Sequence, residues 1–109
     1  MIGHVDRPRP GERLEDTVAV IGWVAWDEGV ASIEVLVDDV VLGSASLGYE
    51  RPDVRIAHPE YDDPNTGWVA TIDLASVPPG IRWVTVRARS RSGTLKLLDS
   101  IPVMIGQLK

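Results

Sequence analysis

Carboxylates, an imidazole and aromatic side chains crowd into one stretch, Tyr49 to Trp68, YERPDVRIAHPEYDDPNTGW, and the chemistry open to them is limited. Asp53, Asp62, Asp63 and Asn65 offer hard oxygen ligands, of which calcium takes roughly six to eight. Their spacing is not that of an EF-hand loop. Asp62-Asp63-Pro64-Asn65-Thr66-Gly67 also reads as a turn, because Asp and Asn side chains bond nearby backbone amides, and the turn is the preferred reading. Glu60 and Asp62 form a carboxylate pair, but in a solvated loop both keep ordinary acidity and read as surface charge. Trp23, Arg51, His58 and Tyr61 supply the groups of a ligand cleft. Elsewhere, Trp83 and Arg87 share one face of an alternating segment, suited to stacking on a sugar ring or docking on a neighbouring domain.

The motifs of intrinsic catalysis are missing. No glycine-rich loop of the GxGxxG or GxxxxGK[ST] kind cradles a phosphate. Leu42-Gly43-Ser44-Ala45-Ser46 is not a nucleophile elbow and lies within a strand pattern. The two histidines, His4 and His58, cannot build a three-histidine metal site, and HExxH is absent. The expectation is a chain with no catalytic residues, no cofactor and no metal beyond the weak calcium candidate.

The elements that must position these residues alternate apolar and polar positions, the period of half-buried strands. His4-Val5-Asp6 predicts a short edge strand closed by Arg7-Pro8-Arg9-Pro10-Gly11. Thr17 to Ala25 is the first strong strand, with Val18, Val20, Gly22 and Val24 on one face. Its other face, Ala19, Ile21, Trp23 and Ala25, is also apolar and needs a cover. Val30 to Asp38 turns Ile33, Val35 and Val37 inward and Glu34, Leu36 and Asp38 outward. Asp38-Asp39 makes a hairpin turn into Val40 to Leu47, with Val41, Gly43 and Ala45 on one side. Trp68 to Leu74 resumes after the insertion with Trp68, Ala70 and Ile72 inward. Ile81 to Arg89 follows Pro78-Pro79-Gly80, with Val84, Val86 and Ala88 inward and Trp83, Thr85, Arg87 and Arg89 outward. Thr94 to Ile105 is the last strand, bent near Asp99-Ser100, with Ile101, Val103 and Ile105 inward.

About seven strands at sandwich-like spacing predict an all-β fold. Within the insertion, Pro52 suits a first helical position and Asp53 the positive helix start. One short helical turn is expected there, with Val54, Ile56 and Ala57 on the sandwich and covering Trp23. The whole insertion reads as a structured crossover from one sheet to the other. On the facing strands, Leu36 is expected to pack on Trp83 and Glu34 to pair with an arginine.

Composition narrows the partners. The 109 residues suit one domain, and no cysteine is present. Sixteen acidic against eleven basic side chains give a net charge of −5, which disfavours nucleic acid and anionic membranes. Neither a signal peptide nor an apolar run of the ~20 residues that span a bilayer is present, and the compartment stays undecided. Because strand pattern fills the chain nearly end to end, the domain is expected to be a module of a longer polypeptide.

The frame Pro10-Gly11, Val18-x-Val20-x-Gly22-Trp23, Gly29-Val30-x-x-Ile33-x-Val35-x-Val37-Asp38 and Pro79-Gly80-x-x-x-Val84-x-Val86-x-Ala88 resembles bacterial immunoglobulin-like (Big-type) domains. The insertion, Arg51-Pro52-Asp53-Val54…Pro59…Tyr61…Asn65-x-Gly67-Trp68, is similar to a subset of them without assigned chemistry. Such modules are appended to surface proteins, polysaccharide-active enzymes and glycosyltransferases. The resemblance implies an immunoglobulin-like β-sandwich without catalytic residues, serving as a spacer or binding module. Its partners would be neighbouring domains of the same polypeptide. The alternative is a carbohydrate-binding module using Trp83 or the 49–67 insertion. Two residues depart from the pattern: Trp83 replaces a small polar residue, and Asp39 replaces the hairpin glycine after Asp38.

Overall fold

The computed structural model describes residues 1–106. Its strands are β1 (Ile2–Arg7), β2 (Arg13–Leu14), β3 (Thr17–Ala25), β4 (Val30–Val37), β5 (Val40–Ser44), β6 (Ser46–Tyr49), β7 (Gly67–Asp73), β8 (Gly80–Ser90) and β9 (Leu95–Ile105), with an α-helix, α1 (Pro52–Ala57), and a 3-10 turn, Pro59–Tyr61. They form two sheets, ordered β1-β3-β7-β6 and β2-β9-β8-β4-β5. The expected all-β immunoglobulin-like sandwich is what forms, with two short strands beyond the seven read from the pattern. Among the described residues no helix is long and apolar enough to cross a membrane.

Alternation decides the core. Ile33, Val35 and Val37 of β4, Trp68, Ala70 and Ile72 of β7, Val84, Val86 and Ala88 of β8, and Ile101, Val103 and Ile105 of β9 all point inward and are buried. Full burial of a side chain of this kind contributes roughly 1.5–3 kcal/mol. Trp68 is the largest fully buried side chain. It pairs in register with Gly22 of β3. A Cβ at Gly22 would lie 2.6 Å from Trp68 Cζ2 and would also collide with the His4 carbonyl oxygen. The absent side chain is what lets the indole fit.

Several expectations fail between residues 40 and 66. The run Val40 to Leu47 is not one strand. Up to Ser44 it pairs with β4, then Ala45 donates its N–H to Ile33 O (2.8 Å), and from Ser46 the chain pairs with β7 in the other sheet. The change of sheet therefore happens at Ala45, not across the insertion. The insertion joins β6 and β7, antiparallel neighbours in the same sheet. The register of β5 also shifts between Val35 and Leu36 of its partner, so Val41 faces Leu36 outside while Gly43 faces Val35 inside. A bulge inserts one residue and turns every later side chain over, so strict alternation misplaced Val41.

The Asp38-Asp39 hairpin forms without its glycine. Both residues adopt positive φ, 47° and 71°, the left-handed pair that a two-residue hairpin needs. Aspartate tolerates this region better than most residues with a Cβ.

Gly22→Ala is expected to lower stability by about 1–3 kcal/mol, because the added methyl must displace Trp68 or the β1 backbone. The urea midpoint checks this, with Gly43→Ala, whose added Cβ would meet its neighbours at 3.3 Å or beyond, as the milder comparison.

Candidate functional site

Two places hold the residues singled out by the sequence, and they lie on opposite outer faces. The first is the outer face of the five-stranded sheet. Trp83 is half exposed there at 50%, and Ile81 beside it on β8 is 70% exposed. Across to β9, Ile81 pairs with Met104 and Trp83 with Pro102. Toward β5, Thr85 pairs with Leu36, which pairs with Val41. The register thus strings Met104, Ile81, Pro102, Trp83, Leu36 and Val41 into one apolar strip. The sequence pointed to Trp83 with Leu36 beside it and missed the rest, since the pairing that assembles the strip is long-range.

Leu36, expected to pack on Trp83, is its diagonal neighbour and is buried on this face, with Trp83 one pair beyond the end of β4. Asp38 takes the position opposite it. The Trp83 N–H donates to Asp38 Oδ1 (3.0 Å), the Asp38 N–H donates to Trp83 O (3.1 Å), and Arg82 Nη1 reaches Asp38 Oδ2 (3.1 Å). The Trp83 amide, then the Arg82 guanidinium, hold the Asp38 carboxyl below its ordinary range. The expected partner of Glu34 is Arg87, at 2.8 Å with both side chains partly buried. Arg87 is therefore committed to its own sheet.

The second place is the insertion, which folds over the outer face of the four-stranded sheet. Arg51 is its anchor. Its Nη1 bonds Asp6 Oδ2 on β1 at 2.8 Å, while Nε and Nη2 fork onto the two oxygens of Asp53 at 3.0 and 2.9 Å. Its stem crosses Gly67, where a Cβ would lie 3.0 Å from Arg51 Cγ. The Asp53 carboxylate, then that of Asp6, raise the Arg51 pKa, and the same guanidinium lowers that of Asp53.

The insertion covers Trp23 as expected, but with different residues. The His58 ring sits 5.6 Å from the Trp23 ring, and Trp23 is only partly exposed. Val54 is 4% exposed, whereas Ile56 is 81% exposed and Ala57 is exposed. Placing Val54 and Ile56 together applied a strand spacing to a helix. At 3.6 residues per turn, positions two apart point in nearly opposite directions.

The four candidate oxygen ligands do not converge. Asp53 is held by Arg51, and Asp62 by Arg55 at 3.2 Å. Asp63 Oδ1 accepts the Asn65 N–H at 2.9 Å, which is the turn chemistry the sequence suggested. Among the described residues no three His, Asp or Glu side chains are grouped to hold a metal. Tyr61 closes a single helical turn, Pro59–Tyr61, its N–H donating to His58 O at 3.3 Å.

No family model matches this chain, and no curated protein matches it. Solved structures do. The fibronectin(III)-like modules of CbhA from Clostridium thermocellum superpose with a TM-score of 0.66 at 17% identity, over 98% of this chain and 47% of that one. The endo-beta-1,4-mannanase from Thermotoga petrophila gives 0.66 at 16% identity, over 98% of this chain and 20% of that one. At such identities the likeness is one of fold. This chain spans less than half of either.

Asp38, Asp53 and Glu28, whose carboxylate accepts from the hydroxyls of Ser92, Ser90 and Thr94, all have lowered pKa values. A carboxyl depressed by folding adds stability above its unfolded value of about 4, and that stability disappears as pH falls through the folded value. Urea midpoints should therefore be flat at neutral pH and fall below pH ~4. Asp38→Asn, which keeps an acceptor for the Trp83 N–H but loses the charge facing Arg82, should make that fall shallower. An acid slope equal to that of the parent would refute the assignment.

Proposed function

We propose that this domain is a non-catalytic accessory module of the bacterial immunoglobulin-like type, which docks and positions a neighbouring domain of a longer polypeptide. A glycosyltransferase or another glycan-active enzyme is the setting we favour. The observation that carries the reading is the apolar strip on the outer face of the five-stranded sheet. A half-exposed tryptophan flanked by Ile81 and Met104, both open to solvent, is costly on a free surface and is the composition of an interface centre. The surrounding polar groups are already spent on one another, Arg87 on Glu34 and Arg82 on Asp38. What this face offers a partner is apolar contact, and a rigid domain surface matches it better than a sugar's hydroxyls.

The solved relatives support the setting. The regions matching this chain occupy only part of longer chains, one a mannanase and one a set of fibronectin(III)-like modules.

The test uses the full reading frame. Trp83→Arg should leave the midpoint of the isolated domain within about 1 kcal/mol of the parent, since the side chain is half exposed. In the full polypeptide it should release the neighbour, because removing a central aromatic anchor costs an interface about 2 kcal/mol or more. Small-angle scattering would then show a broader distance distribution, and proteolysis faster cutting between domains. An unchanged distribution, or a reading frame without a second domain, overturns the reading.

A further inference from the structure

The strand β8 carries Trp83 near one end of the sandwich and reaches the other end at Ser90, seven residues on and roughly 23 Å away at strand rise. At that far end the β3–β4 turn, the β8–β9 turn and the segment leading into β7 enclose a cleft of about 420 Å³. Val30 and Leu47 give it apolar walls, and Asp63, Asn65, Thr66 and Arg91 give it polar ones.

Thr66 is 4% exposed, and its buried hydroxyl has no hydrogen-bond partner. Buried hydroxyls are almost always paired, so an orphan in the lining of a cleft points to a group that arrives from outside. Arg91, exposed on the β8–β9 turn, lines the same cleft. Its backbone N–H is fixed on Gly29 O at 3.2 Å, and its stem lies over Gly29, where a Cβ would fall 2.9 Å from Arg91 Cδ. Its guanidinium nevertheless makes no ion pair among the described residues. Glu28, the carboxylate of the β3–β4 turn, is occupied by the hydroxyls of Ser90, Ser92 and Thr94. Asp63 uses only Oδ1, on the Asn65 N–H. One positive and one negative group therefore line the same cleft without neutralising each other.

We propose that this cleft is a saccharide-binding site, sized for a sugar unit at or near the end of a glycan chain. The volume falls within the roughly 300–1,000 Å³ typical of small-molecule sites. A simple anion would face Asp63 and a simple cation would face Arg91. A sugar meets both, since each hydroxyl donates and accepts: vicinal hydroxyls donate to Asp63 and accept from Arg91. Asn65 and Thr66 add one amide and one hydroxyl for the remaining groups, and the ring's C–H surface lies on Leu47 and Val30. A zwitterionic amino acid would satisfy the two charges but leave those neutral groups idle.

The site is independent of the docking strip, and the experiment separates them. The isotope-labelled domain is titrated at millimolar concentration with mannohexaose, cellohexaose and xylohexaose, and separately with glycine and glutamate. Saturable amide shifts are expected at Asn65, Thr66, Gly67 and Arg91 with at least one saccharide. Arg91→Ala, on an exposed turn, should weaken binding by about tenfold or more, as loss of a charge-assisted hydrogen bond does. Thr66→Val should weaken binding while holding or raising the thermal midpoint, because it removes an orphan hydroxyl. Trp83→Ala should bind like the parent. Absence of saturable shifts with all three saccharides overturns the proposal. So do shifts confined to the outer faces of β8 and β9, full affinity in Arg91→Ala, or shifts in the cleft with the amino acids alone.

Discussion

The close approach of Trp68 to Gly22 is the constraint on which the rest of the molecule depends. An indole with no exposed surface fills the space between the sheets, and it fits because β3 presents no side chain at the paired position. Packing this tight tolerates one register only, since slipping β7 by a residue would send the indole to solvent. Once that register is set, Gly67 lies opposite Trp23 and the Thr66 carbonyl accepts the Val24 N–H. The insertion must then leave β6 and re-enter at β7 along a fixed path. The outer face of the four-stranded sheet inherits its geometry from this contact. Its cost is also visible, in a buried indole N–H without a partner.

Polar staples fix what the core does not reach. Arg51 ties the insertion to β1 through Asp6, Glu28 gathers three hydroxyls of the β8–β9 turn, and Asp38 locks the β4–β5 turn to the Trp83 backbone. Each lies near the surface, where solvent screens the charges and leaves little net energy. Their value is geometric. They pin loops that carry few apolar side chains, and so hold both ends of the sandwich in defined shapes.

That arrangement suits a module that must hold something in place. The apolar strip occupies the outer face of the five-stranded sheet near the β4–β5 turn, and the cleft opens at the other end, near the β3–β4 and β8–β9 turns. A neighbour seated on the strip leaves the cleft free. Positioning and recognition would then be separate properties of one rigid body, with no need for movement between them.

The chain by itself determined what depends on local periodicity. Strand β3 and the inward faces of β4, β7, β8 and β9 are legible because burial on one side of a pleated strand demands an apolar residue at every second position. The turn at Asp62 to Gly67 was equally legible, since the Asp63 side chain bonds backbone two residues away. Only the tertiary structure decided the rest. A bulge opposite Leu36 and a change of sheet at Ala45 break the period without any signature in Val41, Ser44 or Ala45. The helix put Val54 under cover and Ile56 in solvent because its period is not two. Arg51 found Asp6 across 45 positions, and Arg91 came to share a cleft with Thr66, through loops that meet only after the sheets have packed. Periodicity is written along the chain, whereas long-range polar partners are set by which turns the packed core brings to the same end.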